Sequence, residues 1–190
     1  MAQEIEIEYK NLLTMDEFQR LLDNLPFPEY SEVQTNYYFE TKNFQLKENG
    51  CALRIREKNG KYRLTLKEPH ELGLLETHDE LTKQEATDWL NGKIISKEHI
   101  SKQLLKKGIA FESLSFYGSL TTERREAQYK DVLIVLDISN YNGKTDYEFE
   151  LEAQNKDVGL ETFLNILAEY NISKKQTPNK IERFFNSLPK

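Results

Sequence analysis

The chain has 190 residues, of which 38% are hydrophobic and 31% are charged, and its formal net charge is -6. That length suits one domain with its own core, and the acidic balance argues against a nucleic-acid partner, because such binders are normally basic. The single cysteine, Cys51, excludes an intrachain disulfide and a thiolate metal cluster. There is no secretion-signal pattern and no run of about 18 apolar residues, so we expect a cytoplasmic protein that does not bind membranes.

The first predicted strand covers residues 3–10 and alternates charged with apolar side chains. Because strand side chains alternate with a period of two, one face collects every charged group. That face comprises Glu4, Glu6, Glu8 and Lys10. A charged face on a half-exposed strand is most often simply solvated, so this segment alone does not decide its role.

A helix is expected next, beginning with the capping box Thr14–Glu17 and ending before Pro26. The second strand is predicted over residues 34–40. The third and fourth strands, around 54–56 and 63–67, carry positive charge on one face, and Asn59-Gly60 between them is typical of a tight hairpin. These strands are therefore expected to pair in an antiparallel sheet.

The rest of the chain alternates predicted helices and strands. A second capping box at Thr82 opens a helix that ends at Gly92. The remaining predicted helices cover 97–107 and 157–170, with a last one beginning at Thr177-Pro178. The remaining predicted strands cover 75–81, 115–118, 120–129, 132–138 and 147–153.

The last strand repeats the acidic pattern of the first, with Glu148, Glu150 and Glu152 on one face. Natural solvent-facing surfaces mix charges of both signs, so the recurrence of single-sign faces favours a binding role. About eight strands close into a small barrel. Amphipathic helices would cover apolar faces that point outward, and the charged faces would line the interior. The sequence thus predicts an α+β fold: a single domain, residues 1–190, built as an antiparallel eight-stranded tunnel barrel with helices outside.

The charged strands resemble those of a known family. Glu6-Ile7-Glu8-Tyr9-Lys10 is similar to the N-terminal ExExK signature of the CYTH superfamily, the triphosphate tunnel metalloenzymes. The segments that resemble the later family strands are Arg54-Ile55-Arg56, Thr65-Leu66-Lys67, Arg125, Asp137 and Glu148–Glu152. Their order fits the family over essentially the whole chain.

This resemblance implies a tunnel that binds a triphosphate together with Mg²⁺ or Mn²⁺. Arginine grips phosphate oxygens in a forked geometry, and Mg²⁺ prefers oxygen ligands. The expected phosphate-binding residues are Arg54, Arg56, Arg63, Lys67 and Arg125. The expected metal ligands are Glu6, Glu8, Glu150 and Glu152, followed by Glu148 and Asp137.

Four further candidates have competing interpretations. Lys10 either positions the terminal phosphate or balances neighbouring carboxylates. Tyr38 matches a family tyrosine near the tunnel lysine, here Lys67, or is a packed strand aromatic. Lys180 and Arg183 resemble the C-terminal helix that plugs or gates the tunnel, or lie on an exposed helix face. Lys10, Lys67 and Tyr38 are the expected catalytic residues.

The sequence departs from the family pattern at two places, the first of which bears on the metal-binding carboxylates and the second on the substrate. Asn36 stands where many members carry Asp, and Ala52-Leu53 precedes Arg54 where the thiamine triphosphatase branch tends to have an aromatic residue. The second departure favours inorganic tripolyphosphate as substrate, cleaved by a metal-dependent triphosphatase. The alternatives are a class IV adenylate cyclase and a non-catalytic polyphosphate or nucleotide binder, and paired carboxylate strands argue against the binder. For His78 the sequence favours an exposed surface position.

Overall fold

The structure, a computed structural model, describes residues 2–189. Over these residues, eight antiparallel strands close into a barrel in the order β1-β5-β4-β3-β2-β6-β7-β8, accompanied by six α-helices. The predicted fold class is therefore confirmed. The strands are β1 Gln3–Leu13, β2 Glu32–Thr41, β3 Ala52–Lys58, β4 Lys61–His70, β5 Gly73–Leu81, β6 Leu114–Tyr129, β7 Val132–Tyr141 and β8 Lys144–Ala153. The helices are α1 Met15–Asn24, α2 Gln45–Glu48, α3 Lys83–Leu90, α4 Glu98–Lys106, α5 Lys156–Glu169 and α6 Lys180–Asn186.

Both predicted capping boxes are present. In α1 the Glu17 amide donates to Thr14 Oγ1 over 3.1 Å, and the Thr14 amide donates to Glu17 Oε2 over 2.8 Å. In α3 the pair Thr82 and Glu85 makes the same two bonds, at 3.2 and 2.7 Å. Each box satisfies amide groups that have no partner within their own helix, and so it fixes where the helix begins.

Three elements differ from the predictions. The segment 114–129 is one strand rather than two, with Gly118 at a φ of 145° inside it. Helix α2 lies in a predicted loop, where the buried carboxylate of Glu40 accepts hydrogen bonds from the amides of Leu46 and Lys47. Helix α6 begins after Asn179, because Thr177 Oγ1 accepts from the Leu12 amide instead of capping the helix.

The described residues form two compact units, the first comprising 2–5 and 34–120. Its core joins the apolar faces of β3 and β4 to helices α3 and α4. Trp89 of α3 lies at its centre, fully buried, with its ring centroid 5.1 Å from that of Phe39 and 5.3 Å from that of Phe111. The buried strand residues of this core are Leu53, Ile55, Leu64 and Leu66.

The second unit comprises residues 6–33 and 121–189. Its core joins the apolar faces of β7 and β8 to helices α1 and α5. Phe149 of β8 stacks on Phe163 of α5 at a centroid distance of 5.8 Å. Gly159 of α5 allows the helix to lie close to the strands, since a Cβ at this position would lie 2.7 Å from the Ala153 Cβ and 2.8 Å from the Tyr9 ring.

Helices cover the apolar strand faces in both units, so the alternate side chains of these strands point into the barrel. The sequence predicts this arrangement, with the apolar strand faces covered by helices and the charged faces lining the interior. Ile5 is an exception, because it was expected beneath a helix but is 43% exposed.

Within the part of the chain that the structure describes, every helix is too short or too polar to cross a membrane.

Candidate phosphate and metal sites

The first unit contains four basic residues of β3 and β4, here called the cationic set: Arg54, Arg56, Arg63 and Lys67. In the β3–β4 register Arg56 lies directly opposite Arg63, while Arg54 lies opposite Thr65. Like charges placed directly opposite each other on neighbouring strands are unfavourable. The strand pairing alone therefore creates a surface that favours an anion.

Arg54 has an unused hydrogen-bond donor. Its side chain is 15% exposed, and its Nε is buried without a hydrogen-bond partner among residues 2–189. The Glu76 carboxylate approaches Arg54 Nη2 only to 3.8 Å. A buried N–H that lacks an acceptor is unfavourable, and an oxygen of a phosphate group would supply one.

Asn36 on β2 adds a second unused donor. Arg56 Nε donates to Asn36 Oδ1 over 3.1 Å, and Asn36 Nδ2 is buried without a partner among the described residues. An aspartate here would offer only acceptors, so the departure from the family pattern adds a donor to the cationic set. The chemistry again favours an anion.

Glu76 on β5 balances the cationic set. Its Oε1 lies 2.7 Å from Lys67 Nζ. Burial opposes ionisation of this carboxyl group, but Lys67 and Arg54 lower its pKa to about 2. The patterns used for the prediction lie within single strands. They therefore gave no indication that Glu76 of β5 would face Lys67 of β4.

The expectation that His78 is exposed is wrong, since its side chain is 10% exposed. Its Nδ1 lies 2.9 Å from Thr65 Oγ1, and its Nε2 lies 2.9 Å from Glu4 Oε1 and 3.3 Å from Glu76 Oε2. The strand register explains this position, because Thr65 and His78 are direct cross-strand partners.

The remaining candidates of the first unit, Arg63 and Tyr38, differ in their exposure to solvent. Arg63 has a side chain that is 54% exposed and donates to Glu80 Oε1 over 2.6 Å. Tyr38 is 2% exposed and lies opposite Arg54 in the β2–β3 register. Arg63 is thus the most accessible member of the cationic set, and Tyr38 is a buried neighbour.

The second unit contains the six predicted metal ligands, here called the acidic set: Glu6, Glu8, Asp137, Glu148, Glu150 and Glu152. The β1–β8 register places Glu8 opposite Glu152, and the β7–β8 register places Asp137 opposite Glu148. Lys10 lies opposite Glu150 and donates to Glu8 Oε1 and to Asn179 Oδ1, both over 2.5 Å. Lys10 therefore contacts the carboxylates, as one of its two interpretations requires.

Arg124 is the β6 residue beside these carboxylates, whereas the sequence predicted its neighbour Arg125 as a phosphate-binding residue. Arg124 binds Asp137 through two hydrogen bonds of 2.8 and 2.6 Å and Glu150 through one of 2.7 Å. Arg125 belongs to the other face of the strand, where its Nη2 lies 3.4 Å from the Glu29 carbonyl oxygen. The structure does not bring Arg125 together with the acidic set.

Helix α6 contributes two cations to the acidic set. Lys180 Nζ lies 2.9 Å from Asp137 Oδ2 and 3.1 Å from Glu148 Oε1, and it also contacts Glu150. Arg183 contacts Glu148, and its side chain is 8% exposed. These positions do not agree with an exposed helix face.

Charge compensation is uneven within the acidic set. Burial opposes ionisation of Glu150, yet Lys180 and Arg124 hold its pKa well below the usual range. Burial, together with the neighbouring charge of Glu6, raises the pKa of Glu152 to about 7. A divalent cation such as Mg²⁺ prefers carboxylate oxygens as ligands, and it would compensate negative charges that lie close together without enough cations nearby. These residues therefore fit a metal ion.

Comparisons with known proteins agree with this geometry. The model of the CYTH domain family matches residues 4–185. A Bacillus subtilis protein named "Putative triphosphatase YjbK" is 44% identical over 100% of this chain and 99% of that protein. A crystal structure from Bacillus halodurans, described as a "putative adenylate cyclase", is 42% identical, with a TM-score of 0.93 over 97% of this chain and 100% of that chain.

A third relative comes from Hippeastrum and is described as a "putative adenylyl cyclase" with a dominant triphosphatase activity. It is 26% identical, with a TM-score of 0.78 over 96% of each chain. The family model covers nearly the whole sequence, and the Bacillus relatives match it from end to end. The chain therefore belongs to the CYTH domain family.

Proposed function

We propose that this protein hydrolyses a triphosphate with the help of a divalent metal ion, and that inorganic tripolyphosphate is its preferred substrate. The observation that carries the proposal is the buried Nε of Arg54, a donor that has no acceptor among residues 2–189 and lies within a basic surface. The triphosphatase named among the relatives supports the same activity class.

The cationic set binds the phosphate chain in this proposal. Arg54 and Arg56 make forked, charge-assisted contacts that a phosphate oxygen accepts, and Lys67 adds a point charge. The half-exposed Arg63 contributes less, since solvent screens its charge. Arg125 is the weakest of the originally expected binders, because its guanidinium contacts the Glu29 carbonyl group instead.

The acidic set holds Mg²⁺ or Mn²⁺ in this proposal, with Glu6, Glu8, Glu150 and Glu152 as first ligands and Glu148 and Asp137 next. A bound divalent ion would neutralise negative charge on the phosphate oxygens. Arg124 fixes the orientations of Asp137 and Glu150 through its three hydrogen bonds. Lys180 pairs with both of these carboxylates and lowers the pKa of Glu150.

Catalysis then depends on orientation and charge neutralisation rather than on a covalent intermediate. Phosphoryl transfer requires little else of the protein, so no serine or cysteine nucleophile is needed. Lys67 and Lys10 would place positive charge near the phosphates, and Tyr38 would support Arg54 from the neighbouring strand. Water is the attacking group in this reaction.

Adenylate cyclisation is the alternative that the names of two structural relatives raise. It differs only in which phosphorus faces the nucleophile, since the ribose 3′-oxygen attacks the alpha phosphate. Ala52 and Leu53 offer no ring on which a purine could stack. Stacking is typically worth about 1 to 3 kcal/mol per base, so its absence favours the bare phosphate chain by roughly tenfold or more.

One assay decides between these reactions. Purified protein is given tripolyphosphate, ATP and thiamine triphosphate in turn, first with Mg²⁺ and then with Mn²⁺, and both phosphate and cyclic AMP are measured. We expect the highest kcat/KM for tripolyphosphate. Faster formation of cyclic AMP from ATP than of phosphate from tripolyphosphate would establish the cyclase instead, and binding without turnover would establish a non-catalytic binder.

A further inference from the structure

A second group of metal-ligating side chains lies outside the acidic set. Glu4 of β1 and Glu76 and His78 of β5 each offer one ligand atom, and these three atoms all lie within 4.8 Å of one another. All three residues belong to the first compact unit. None of them is among the ligands proposed above for Mg²⁺ or Mn²⁺.

We propose that Glu4, Glu76 and His78 form a separate binding site for a first-row transition metal ion, with Zn²⁺ as the best match. The Nε2 atom of His78 lies 2.9 Å from Glu4 Oε1 and 3.3 Å from Glu76 Oε2. Ligands that bind an ion at about 2.0 to 2.2 Å lie roughly 3 Å apart when they occupy adjacent positions around it. Both carboxylate oxygens therefore already lie at about this spacing from His78 Nε2, and all three ligand atoms lie within 4.8 Å of one another.

Thr65 supports the tautomer that this site needs. Its Oγ1 lies 2.9 Å from His78 Nδ1, on the side of the ring away from both carboxylates. A ligating histidine almost always donates its other N–H to such a partner, which leaves the first nitrogen free to bind the ion. Thr65 is 2% exposed, so its hydroxyl group is held in place by its surroundings.

The two oxygens of Glu76 have different neighbours. Oε1 lies 2.7 Å from Lys67 Nζ, whereas Oε2 is the oxygen that faces His78. Glu76 can thus bind an ion through Oε2 while Oε1 keeps its ion pair with Lys67. The Glu4 side chain is 61% exposed, so an ion can reach the site from solvent without opening the core.

The ligand types select the ion. Imidazole suits Zn²⁺ and its neighbours in the first transition row, whereas Mg²⁺ and Ca²⁺ prefer sites made only of oxygen. Two carboxylates and one imidazole with further positions open to water match many zinc sites. The acidic set contains no imidazole, so the two sites should differ in their preferred metal.

Calorimetric titration of Zn²⁺ into chelator-treated protein, in millimolar Mg²⁺ and without any triphosphate, tests the site. We expect one tight equivalent of Zn²⁺ for the wild-type protein. His78→Gln and Glu4→Gln should each weaken it about 100-fold or more, since even the loss of a supporting partner typically costs about 10- to 100-fold. Glu4 is exposed, so Glu4→Gln tests the site without disturbing the interior of the barrel.

His99→Gln and His70→Gln are the matched controls, because the chain has three histidines and only His78 belongs to this site. Both should leave the tight equivalent unchanged. The imidazole NMR signals of His78 should shift on adding one equivalent of Zn²⁺, while those of the other two histidines stay in place. Thr65→Val, which removes the hydroxyl group alone, should weaken Zn²⁺ about 10- to 100-fold.

Absence of a tight equivalent, or an isotherm that His78→Gln leaves unchanged, would overturn the proposal. A Glu150→Gln, Glu152→Gln double variant separates this site from the acidic set. It should bind Zn²⁺ as the wild type does, whatever happens to hydrolysis. Loss of the tight equivalent in that variant, with retention in His78→Gln, would place the ion in the acidic set and contradict the assignment.

Discussion

At the scale of single residues, Arg54 has an unsatisfied hydrogen-bond donor and Glu152 has an uncompensated negative charge. Arg54 has a buried donor without an acceptor among residues 2–189, and burial together with the negative charge of Glu6 raises the pKa of Glu152 to about 7. Both features are unfavourable in the ligand-free protein. Each would be relieved by a ligand of opposite charge, which is the physical reason to assign them to binding rather than to folding.

Replacing Arg54 with alanine should weaken tripolyphosphate binding about 10- to 100-fold, since a hydrogen bond to a charged group is worth about 1.5 to 3 kcal/mol. The melting temperature of the ligand-free protein should stay level or rise, because the cations of this set repel one another. Fluorescence titration and thermal unfolding measure the two effects. Arg63→Ala is the matched control and should weaken binding less, since Arg63 is 54% exposed. A large fall in melting temperature with unchanged affinity would make Arg54 structural.

Glu152→Gln should stabilise the metal-free protein above pH 7 and have little effect near pH 4. The folded-state pKa of Glu152 is raised from 4.5 to about 7, so the wild type loses stability as pH rises through that window. Glutamine cannot ionise and avoids the loss. We expect a gain of about 1 to 3 kcal/mol at pH 8, at about 1.4 kcal/mol per pKa unit.

Urea unfolding with a chelator present, at pH 4 and pH 8, checks this. Glu161→Gln, on the exposed part of α5, serves as the control and should show no pH-dependent gain. An equal effect of Glu152→Gln at both pH values would mean that burial and the charge of Glu6 do not raise the pKa of Glu152.

Patterns within one strand could not place Arg124 or His78, for two different reasons. A shift of one position along a strand moves a side chain to the opposite face, and the choice between Arg124 and Arg125 depended on such a shift. Both are arginines in an unbroken run, so the pattern could not distinguish them. The position of His78 depended on its cross-strand partner Thr65, which only the pairing of β4 with β5 identifies.

At the scale of elements, α6 makes the contacts that matter most to the acidic set. Its first residue, Lys180, pairs with three carboxylates, and its side chain is 11% exposed. The alternation of the strands predicted the carboxylates themselves. The path of residues 175–179 determines which cation reaches them. That path depends on hydrogen bonds to segments far away in sequence, such as the bond from the Leu12 amide to Thr177 Oγ1.

Lys180→Met should destabilise the metal-free protein by about 3 kcal/mol or more, because removing one partner of a buried ion pair leaves uncompensated charge. Mn²⁺ should then raise the melting temperature of the variant more than that of the wild type, since it replaces the lost positive charge. Differential scanning calorimetry with and without Mn²⁺ measures both. Lys174→Met, at an exposed position, is the control. Equal behaviour of the two variants would show that Lys180 does not neutralise these carboxylates.

The capping boxes give a purely structural prediction. Thr82→Ala removes the bonds that begin α3, whose Trp89 lies in the core of the first unit. We expect a loss of about 1 kcal/mol in the free energy of unfolding. Denaturant unfolding measures it, with Thr87→Ala in the middle of the same helix as the control. These boxes were predictable because their bonds join residues three apart, whereas α2 depends on Glu40, several residues before it.

At the scale of the whole molecule, the alternation of charged and apolar residues along the strands was enough to predict a barrel with its charged faces inward. Alternation along each strand decides which face is apolar, and the amphipathic helices supply the cover. The CYTH domain family model, matched over residues 4–185, supports that prediction. Ion pairs across neighbouring strands, such as Lys67 with Glu76, could not be predicted, because they depend on registers that no single strand encodes. That residues 1–190 act as one domain stays a prediction.

The most direct test of the proposed function is a ³¹P NMR time course of tripolyphosphate with the purified protein and Mg²⁺ or Mn²⁺. We predict conversion to pyrophosphate and phosphate that stops when the metal is chelated. The Glu150→Gln, Glu152→Gln double variant should be at least about 100-fold slower, since it lacks two of the proposed ligands. Turnover that continues in the chelator, or that the double variant retains in full, would contradict a metal-dependent triphosphatase.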